Sequence, residues 1–255
     1  PCPWTNVGSS TPMLLGQAFR PNVMEYEIKY RPSYSLLVLN LGQGETITAE
    51  AGAMTYMSPT IQMKTRARAG IWDTLKVGVL GGQSFFVNDY SAIGGPGEIG
   101  LVAAPVGDIE RLSLDGQKGY IIQKSSYVAS ETGVNLDIEW QGFTKGIFGQ
   151  GLFMIKTSGS GALYINTFGA IDRHDLLPGE SLIVDNFHLV GFSDTCQYEV
   201  KRLGGLKEFV LSGEGFIVDI RGPGEVMLQT KNLAEFAEWL WAVFEPKIRA
   251  MRGAR

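Results

Sequence analysis

Three basic residues alternate with small residues between positions 64 and 68. On a β-strand, successive side chains point to opposite faces, so Lys64, Arg66 and Arg68 would share one face. Three cations on one strand face could contact an anion, a phosphate group or RNA, and Trp72 follows closely enough to stack on a base. The alternative is a strand face that is solvated or ion-paired. Both interpretations remain open from the sequence.

Residues that commonly bind metals or act as nucleophiles are scarce. The chain has two histidines, His174 and His188, whereas a cupin-like metal site needs several histidines and a carboxylate that converge. His188 lies in an apolar segment and is expected to be a hydrogen-bonded interior residue, while His174 is expected in a solvated turn. Cys196 has Asp194 as a charged neighbour, which would raise the thiol pKa. We therefore predict no catalytic residue, no metal and no cofactor, and a protein that is not an enzyme.

The composition is that of an ordinary globular protein. The 255 residues include 22 basic and 26 acidic side chains, a net charge of −4, so no overall positive field attracts the chain to nucleic acid or anionic lipid. No apolar run is long enough to span a membrane, and no signal peptide is recognisable, so we predict a cytoplasmic protein without a membrane span. Residues 1–23 hold four prolines and are interpreted as a flexible tail or a cloning remnant.

Short apolar segments separated by glycine-rich turns extend from Met24 to Thr230. Glycine is abundant, with 33 residues, and many of the segments alternate apolar and polar side chains. This pattern is typical of an all-β protein.

Some of the turns recur at fixed spacing. Each recurring turn has a glycine, then a polar residue, and a serine fourteen positions after the glycine. The three sets are Gly44, Glu45 and Ser58; Gly116, Gln117 and Ser130; and Gly179, Glu180 and Ser193. The first and last sets differ by 135 positions without a gap. We predict three tandem β-repeats, at about 35–104, 109–168 and 172–230, arranged around a pseudo-threefold axis over one core.

Helical spacing begins only after Thr230. Asn232 and Glu235 form a capping-box-type start, and apolar residues then recur on one face. The segment 231–255 is predicted to be an amphipathic helix and basic tail, with Pro246 kinking or ending the helix near residues 242–245. We expect the apolar face to pack on the β-core. The alternative is that Trp239 and Trp241 contact another subunit, a partner or a membrane surface.

The ordered turn and strand motifs resemble those of the altered-inheritance-of-mitochondria protein 24 family, over about residues 24–230. The motifs are Gly44-Glu45, Gly94-Gly95-Pro96-Gly97-Glu98, Gly149-Gln150-Gly151-Leu152-Phe153, Gly159-Ser160-Gly161, Gly179-Glu180 and Asp185-Asn186-Phe187-His188-Leu189-Val190. The resemblance implies a threefold-duplicated β-sandwich or barrel similar to the tryptophan RNA-binding attenuation protein. Prokaryotic members are of unknown function, eukaryotic members are linked to mitochondrial inner-membrane organisation, and the family brings no accepted catalytic residues.

These observations favour a non-enzymatic β-scaffold that acts by assembly, either as a homo-oligomer or with a protein partner. The alternative is a protein that binds RNA, another polyanion or a small ligand through the basic strand face at Lys64, Arg66 and Arg68. Neither function requires a cofactor.

Overall fold

The computed structural model describes residues 24–67, 86–140, 153–202 and 216–253. The described part is mostly β-sheet, as the alternating pattern predicted, and has one α-helix at its C-terminal end. Among the described residues, the first strand begins at Glu25, next to the predicted domain start at Met24. The predicted tail, residues 1–23, lies outside the described residues.

Eighteen strands precede the helix within the described residues. The first third of the chain holds β1 (Glu25–Lys29), β2 (Leu36–Leu41), β3 (Thr46–Glu50), β4 (Met54–Met57), β5 (Ile61–Ala67), β6 (Phe86–Ala92) and β7 (Gly97–Leu101). The middle third holds β8 (Ile109–Asp115), β9 (Tyr120–Gln123), β10 (Tyr127–Glu131), β11 (Val134–Trp140) and the long β12 (Phe153–Asn166). The last third holds β13 (Ile171–Leu176), β14 (Ser181–Asp185), β15 (Leu189–Ser193), β16 (Gln197–Arg202), β17 (Phe216–Arg221) and β18 (Gly224–Gln229), followed by α1 (Leu233–Gly253).

Three of the predicted glycine turns share one backbone conformation. Gly44, Gly116 and Gly179 have φ angles of 86°, 86° and 91°. This left-handed region is readily open to glycine because other side chains would clash with the backbone there. The recurring glycines in the sequence therefore mark turns whose backbone conformation favours glycine.

The strands form three separate, open sheets. Within each sheet, every ladder between named strands is antiparallel. The first sheet has the order β1-β2-β7-β4, and the smallest has the order β14-β17-β16. The largest has the order β13-β18-β15-β9-β12-β10-β3-β6-β5, with β8 and β11 also paired to β12. Within the described residues, no ladder closes these sheets into a barrel.

In each third of the chain, the strands form two groups, and in each group a central strand or half-strand pairs with two others. In the first third, β7 lies between β2 and β4, and β6 lies between β3 and β5. In the last third, β18 lies between β13 and β15, and β17 lies between β14 and β16. In the middle third, one half of β12 pairs with β8 and β10, and the other half pairs with β9 and β11.

The buried apolar side chains form three clusters, whereas the sequence led us to expect one shared core. One cluster lies mainly within the first third and a second mainly within the middle third, although Val87, Val190 and Met227 also belong to the second. The remaining cluster lies mainly within the last third. Strand β12 contributes to all of them: Tyr164 faces the first cluster, Leu163 the second and Met154 the third. Neighbouring side chains of a strand point to opposite faces, so one strand can belong to several clusters.

The helix α1 begins as predicted and ends later than predicted. Asn232 caps its first turn, because its Oδ1 accepts hydrogen bonds from the amides of Ala234 at 2.9 Å and Glu235 at 3.3 Å. Pro246 was predicted to kink or end the helix near residues 242–245. An end there is wrong, since the helix continues through Pro246 to Gly253, and a kink stays a prediction. A proline removes its own amide donor and its ring crowds the preceding turn, but Pro246 is exposed, where water can satisfy the carbonyl that loses this donor.

Candidate interaction surface

The apolar face of α1 is largely exposed, which contradicts the expectation that it packs on the β-core. Trp239 is 61% exposed and Trp241 56%, and the other large apolar side chains that remain exposed are Leu233, Phe236, Val243, Phe244 and Met251. The ring of Phe236 contacts the ring of Phe168, which lies between β12 and β13, with 5.4 Å between the ring centroids. The ring of Trp239 stacks on that of Phe236. The first turn of the helix thus contacts the β-sheet part of the protein, while most of the apolar face of the helix is exposed to solvent.

The exposed face is broad and bordered by tryptophans. At 3.6 residues per turn, Trp239 and Trp241 mark the edges of an arc of roughly 200° that is interrupted by Lys247. Acidic side chains, Glu235 and Glu238, lie in the N-terminal half. Basic side chains dominate the C-terminal half, where Arg249 forms an ion pair with Glu245 at 2.8 Å. The helix therefore combines a wide apolar face with opposite charges at its two ends.

The first two residues of the basic stripe lie on a strand. Strand β5 contains Lys64 and Arg66, two positions apart, and these residues lie opposite Asp89 and Val87 of β6. Lys64 is exposed. The Arg66 side chain, all of Arg68 and Trp72 lie outside the described residues, so anion or RNA binding at this stripe stays a prediction.

One histidine lies in a different element from the one expected, and the other forms a hydrogen bond, as expected. His174 lies in β13 rather than in a turn, with its Nε2 atom 3.1 Å from Asp172 Oδ2. Strand pairing with β18 places it there, although its neighbours Asp172 and Asp175 suggested a turn. His188 is half-buried and donates from Nδ1 to the carbonyl oxygen of Gln229 at 2.8 Å.

Cys196 is a buried free thiol. Burial raises its pKa, and the negative charge of Asp194 adds to the effect, in the direction expected from the sequence. Cys2 lies outside the described residues. Within the four described segments, no group of three or more histidine, cysteine, aspartate or glutamate side chains could hold a metal ion.

A polar groove that the sequence analysis missed lies between β1 and β8. It has a volume of about 420 Å³ and is lined by Tyr26, Glu27, Ile28, Arg31, Glu110 and Arg111. The guanidinium of Arg111 lies over the Tyr26 ring, 5.3 Å from its centroid. These two residues are 85 positions apart in the sequence, and no local motif joins them.

Several buried polar atoms near this groove lack a hydrogen-bond partner among the described residues. They include the Arg111 Nε donor, the Tyr164 hydroxyl, and one carboxylate oxygen each of Glu110 and Glu131. Burial raises the pKa of Tyr164 well above its ordinary value. Donors and acceptors are mixed in this set, so it does not define a site for one kind of ion.

Arg31, which lines the groove, forms an ion pair with the buried carboxylate of Asp108 and is itself 44% exposed. Arg31, just after β1, donates from Nε at 2.9 Å and from a terminal nitrogen at 2.8 Å to Asp108, just before β8. Ser35 donates to the same carboxylate at 2.8 Å. These bonds tie β1 to the middle third of the chain.

Comparisons with known proteins agree with the resemblance seen in the turn motifs. A family model described as "Mitochondrial biogenesis AIM24" matches residues 26–231. An uncharacterised protein of Streptococcus pyogenes serotype M6 is 30% identical over 224 residues, which cover 85% of this chain and 89% of that protein. The X-ray structure of a Streptococcus pyogenes protein matches with a TM-score of 0.73 and 27% identity, covering 86% of this chain and 99% of that one. Within the described residues, no helix is long and apolar enough to cross a membrane. The match to the family model extends over most of the chain, which therefore belongs to the AIM24 family.

Proposed function

We propose that the chain is a non-enzymatic scaffold of three similar β-units that assembles with further copies of itself through α1. The observation that carries the proposal is the exposure of the apolar face of α1, including Trp239 and Trp241. Large contiguous apolar patches on a protein surface usually mark a contact with a partner. Tryptophan is also enriched among the residues that contribute most to the binding energy of protein interfaces.

The ladders within each third of the chain support the proposed three units. Each unit has six strands, numbered here in chain order. The first and third strands of a unit pair with its sixth strand, and the second and fourth pair with its fifth. The sets are β2 to β7 in the first unit and β13 to β18 in the last. In the middle unit, the two halves of β12 take the places of the fifth and sixth strands. The proposal adds that these units are related by a pseudo-threefold rotation, as in the fold of the tryptophan RNA-binding attenuation protein.

The charges of α1 favour a second copy of the same helix as its partner. In an antiparallel pair, Glu235 and Glu238 of one helix would lie near Arg249 of the other. Such a contact is self-complementary, as the interface of a twofold symmetric dimer must be. Complementary charges at the border of an apolar interface select the orientation of the two partners.

A second function, binding of RNA, another polyanion or a small ligand at the basic strand face, has less support. Lys64 lies directly across the ladder from Asp89, so an opposite charge faces this end of the stripe. The cytoplasmic location expected from the sequence stays a prediction.

The proposed assembly is tested by light scattering of the Trp239→Ala/Trp241→Ala double variant. The wild type should have a molar mass above that of one chain, and the double variant should shift toward the mass of one chain at equal concentration. The matched control is Tyr34→Ala/Phe86→Ala, which removes two exposed aromatic rings that lie outside α1. Equal masses for the wild type and the double Trp variant would contradict assembly through α1.

A further inference from the structure

One basic side chain lies within the apolar face of α1. Lys247 follows Phe244 by three residues and Val243 by four. Leu240 lies seven residues before it, and Met251 lies four residues after it. These spacings place side chains on one face of a helix. Lys247 therefore lies inside the face that the proposed function assigns to assembly.

No ion pair within the described residues uses the charge of Lys247. Its side chain is exposed, and no carboxylate of a described residue is paired with it. The nearby Arg249, in contrast, is paired with Glu245 at 2.8 Å. Covering Lys247 with apolar surface costs free energy, because its ammonium group loses water. In coiled coils, a single polar residue at such a position selects one arrangement of the helices at a cost in stability.

A parallel pair of α1 helices brings the two copies of Lys247 together. In such a pair in register, each residue lies opposite its own copy, and the helix axes are about 8–10 Å apart. Two ammonium groups would then meet within an apolar contact, where like charges repel strongly because little water screens them. Lys247 therefore opposes the parallel orientation.

An antiparallel pair places Lys247 opposite a small side chain instead. The apolar face extends from Leu233 to Met251, so overlap of its whole length sets Leu233 opposite Met251 and, at equal steps along the helices, Lys247 opposite Ala237. The apolar stem of the lysine can lie over this alanine and carry the ammonium group to the border of the contact.

The same arrangement separates the two lysines. The positions of Lys247 and Ala237 are ten residues apart, so the two copies of Lys247 lie about 15 Å apart along the pair. At physiological ionic strength the Debye length is about 8 Å, and charges at this separation are largely screened. The antiparallel pair therefore escapes the repulsion that the parallel pair meets.

We propose that Lys247 selects the antiparallel orientation of the α1 pair by excluding the parallel one. The inference rests on assembly through α1, as given in the proposed function. It differs from the attraction between the charged ends of the helices, because it acts through repulsion in the wrong arrangement. The partner that Lys247 specifies is a second copy of α1 that runs in the opposite direction.

The test reads the orientation from disulfides between single-cysteine variants in a background carrying Cys2→Ala and Cys196→Ala. Leu233→Cys and Met251→Cys replace exposed side chains at the two ends of the apolar face, about 27 Å apart along one helix. After mild oxidation, a link between the two variants reports an antiparallel pair. A link between two copies of one variant reports a parallel pair. A tag on one variant separates these species on a non-reducing gel.

Chains that keep Lys247 should give only the link between the two different variants. Lys247→Leu should add the links between copies of one variant, because the parallel pair then loses its repulsion. Lys247→Arg should give the result of chains with Lys247, since it keeps the charge. The matched control is Lys118→Leu, which removes an exposed cation outside α1 and should leave the links unchanged.

A second experiment reverses the charge. Chains with Lys247→Glu should pair antiparallel when they are alone, because two carboxylates repel as two ammonium groups do. A mixture of chains with Lys247 and chains with Lys247→Glu, all carrying Leu233→Cys, should give linked dimers that neither chain gives alone. Opposite charges meet in the parallel pair of this mixture and favour it.

The results separate this inference from assembly itself. Only the link between different variants in chains with Lys247→Leu would show that other residues select the orientation; it would overturn the inference and leave assembly through α1 intact. Links between copies of one variant in chains that keep Lys247 would overturn it too. The absence of any link, at a molar mass above that of one chain, would also overturn it. A molar mass of one chain would contradict the proposed function as well.

Discussion

The hydroxyl of Ser193 accepts a hydrogen bond from the backbone amide of Glu225, with 3.1 Å between the two atoms. In the first third of the chain, Ser58 accepts the corresponding bond from Glu98 at 2.9 Å. The bonded residues are 32 positions apart in the last third and 40 in the first. Ser193 in the third strand, and Ser58 just after it, thus each bond the sixth strand of their unit, whereas Ser130 of the middle unit bonds the hydroxyl of Tyr127. The serine therefore has this structural role in the first and last units.

Replacing Ser193 with alanine should therefore destabilise the last third of the chain. The substitution leaves the half-buried Glu225 amide without its acceptor, and we expect a loss of about 1 kcal/mol in the free energy of unfolding. Urea denaturation followed by circular dichroism measures the change. Ser125→Ala is the control, because that exposed hydroxyl makes only a long 3.4 Å bond to Gln123. Equal losses for both variants would contradict a structural role for Ser193.

The ion pair of Asp108 and Arg31 should make stability depend on acid pH. Burial acts to raise the pKa of Asp108, but hydrogen bonds from Arg31 and Ser35 outweigh it, so the pKa lies below its ordinary value of 3.8. The carboxylate is ionised in both states above this value, and the pair contributes its full stability there. As pH falls below 3.8, the unfolded chain gains the proton first and the contribution shrinks.

The variant Asp108→Asn should lower the free energy of unfolding at pH 7 by about 2 kcal/mol, since it removes charge-assisted bonds to a buried carboxylate. It should also weaken the decline of stability below pH 4 relative to the wild type. Denaturation curves at several pH values measure both effects. A variant whose stability falls with acid as steeply as that of the wild type would show that Asp108 is not the group responsible.

The basic strand face should not give the chain a strong affinity for polyanions. At low salt, fluorescence anisotropy with labelled single-stranded RNA should show little binding by the wild type, and the Lys64→Glu/Arg66→Glu/Arg68→Glu variant should behave alike. Phosphate contacts made by lysine and arginine would instead give binding that weakens steeply with salt. Such binding, lost in the triple variant, would favour the RNA or polyanion function.

Cys196 should react slowly with thiol reagents in the folded protein. The thiol is buried, and its raised pKa leaves little of the reactive thiolate at neutral pH. Mass spectrometry of iodoacetamide-treated peptides should show modification of Cys196 only after denaturation. Modification of native Cys196 as fast as that of the unfolded chain would contradict its burial.

Local patterns predicted the elements of this fold better than their arrangement. The turn at Gly179 was predictable because a left-handed backbone needs glycine, and the start of α1 because Asn232 caps it. The end of α1 was mispredicted, since the cost of Pro246 depends on whether water reaches the helix. The openness of the sheets depends on how strands of different thirds meet, which no local pattern reports.

The candidate surfaces were predictable only in part. The sequence located Trp239 and Trp241 on an amphipathic helix, but whether that helix packs on the body depends on tertiary contacts such as that of Phe236 with Phe168. The groove beside Tyr26 and Arg111 joins distant parts of the chain, so spacing could not reveal it.

The molar mass of the wild-type chain in solution, measured by size-exclusion chromatography with light scattering over a range of concentrations, tests the scaffold proposal most directly. We expect masses that are multiples of the 27.8 kDa chain and that rise with concentration or persist on dilution. A mass of 27.8 kDa at every concentration would contradict assembly as the function of this protein.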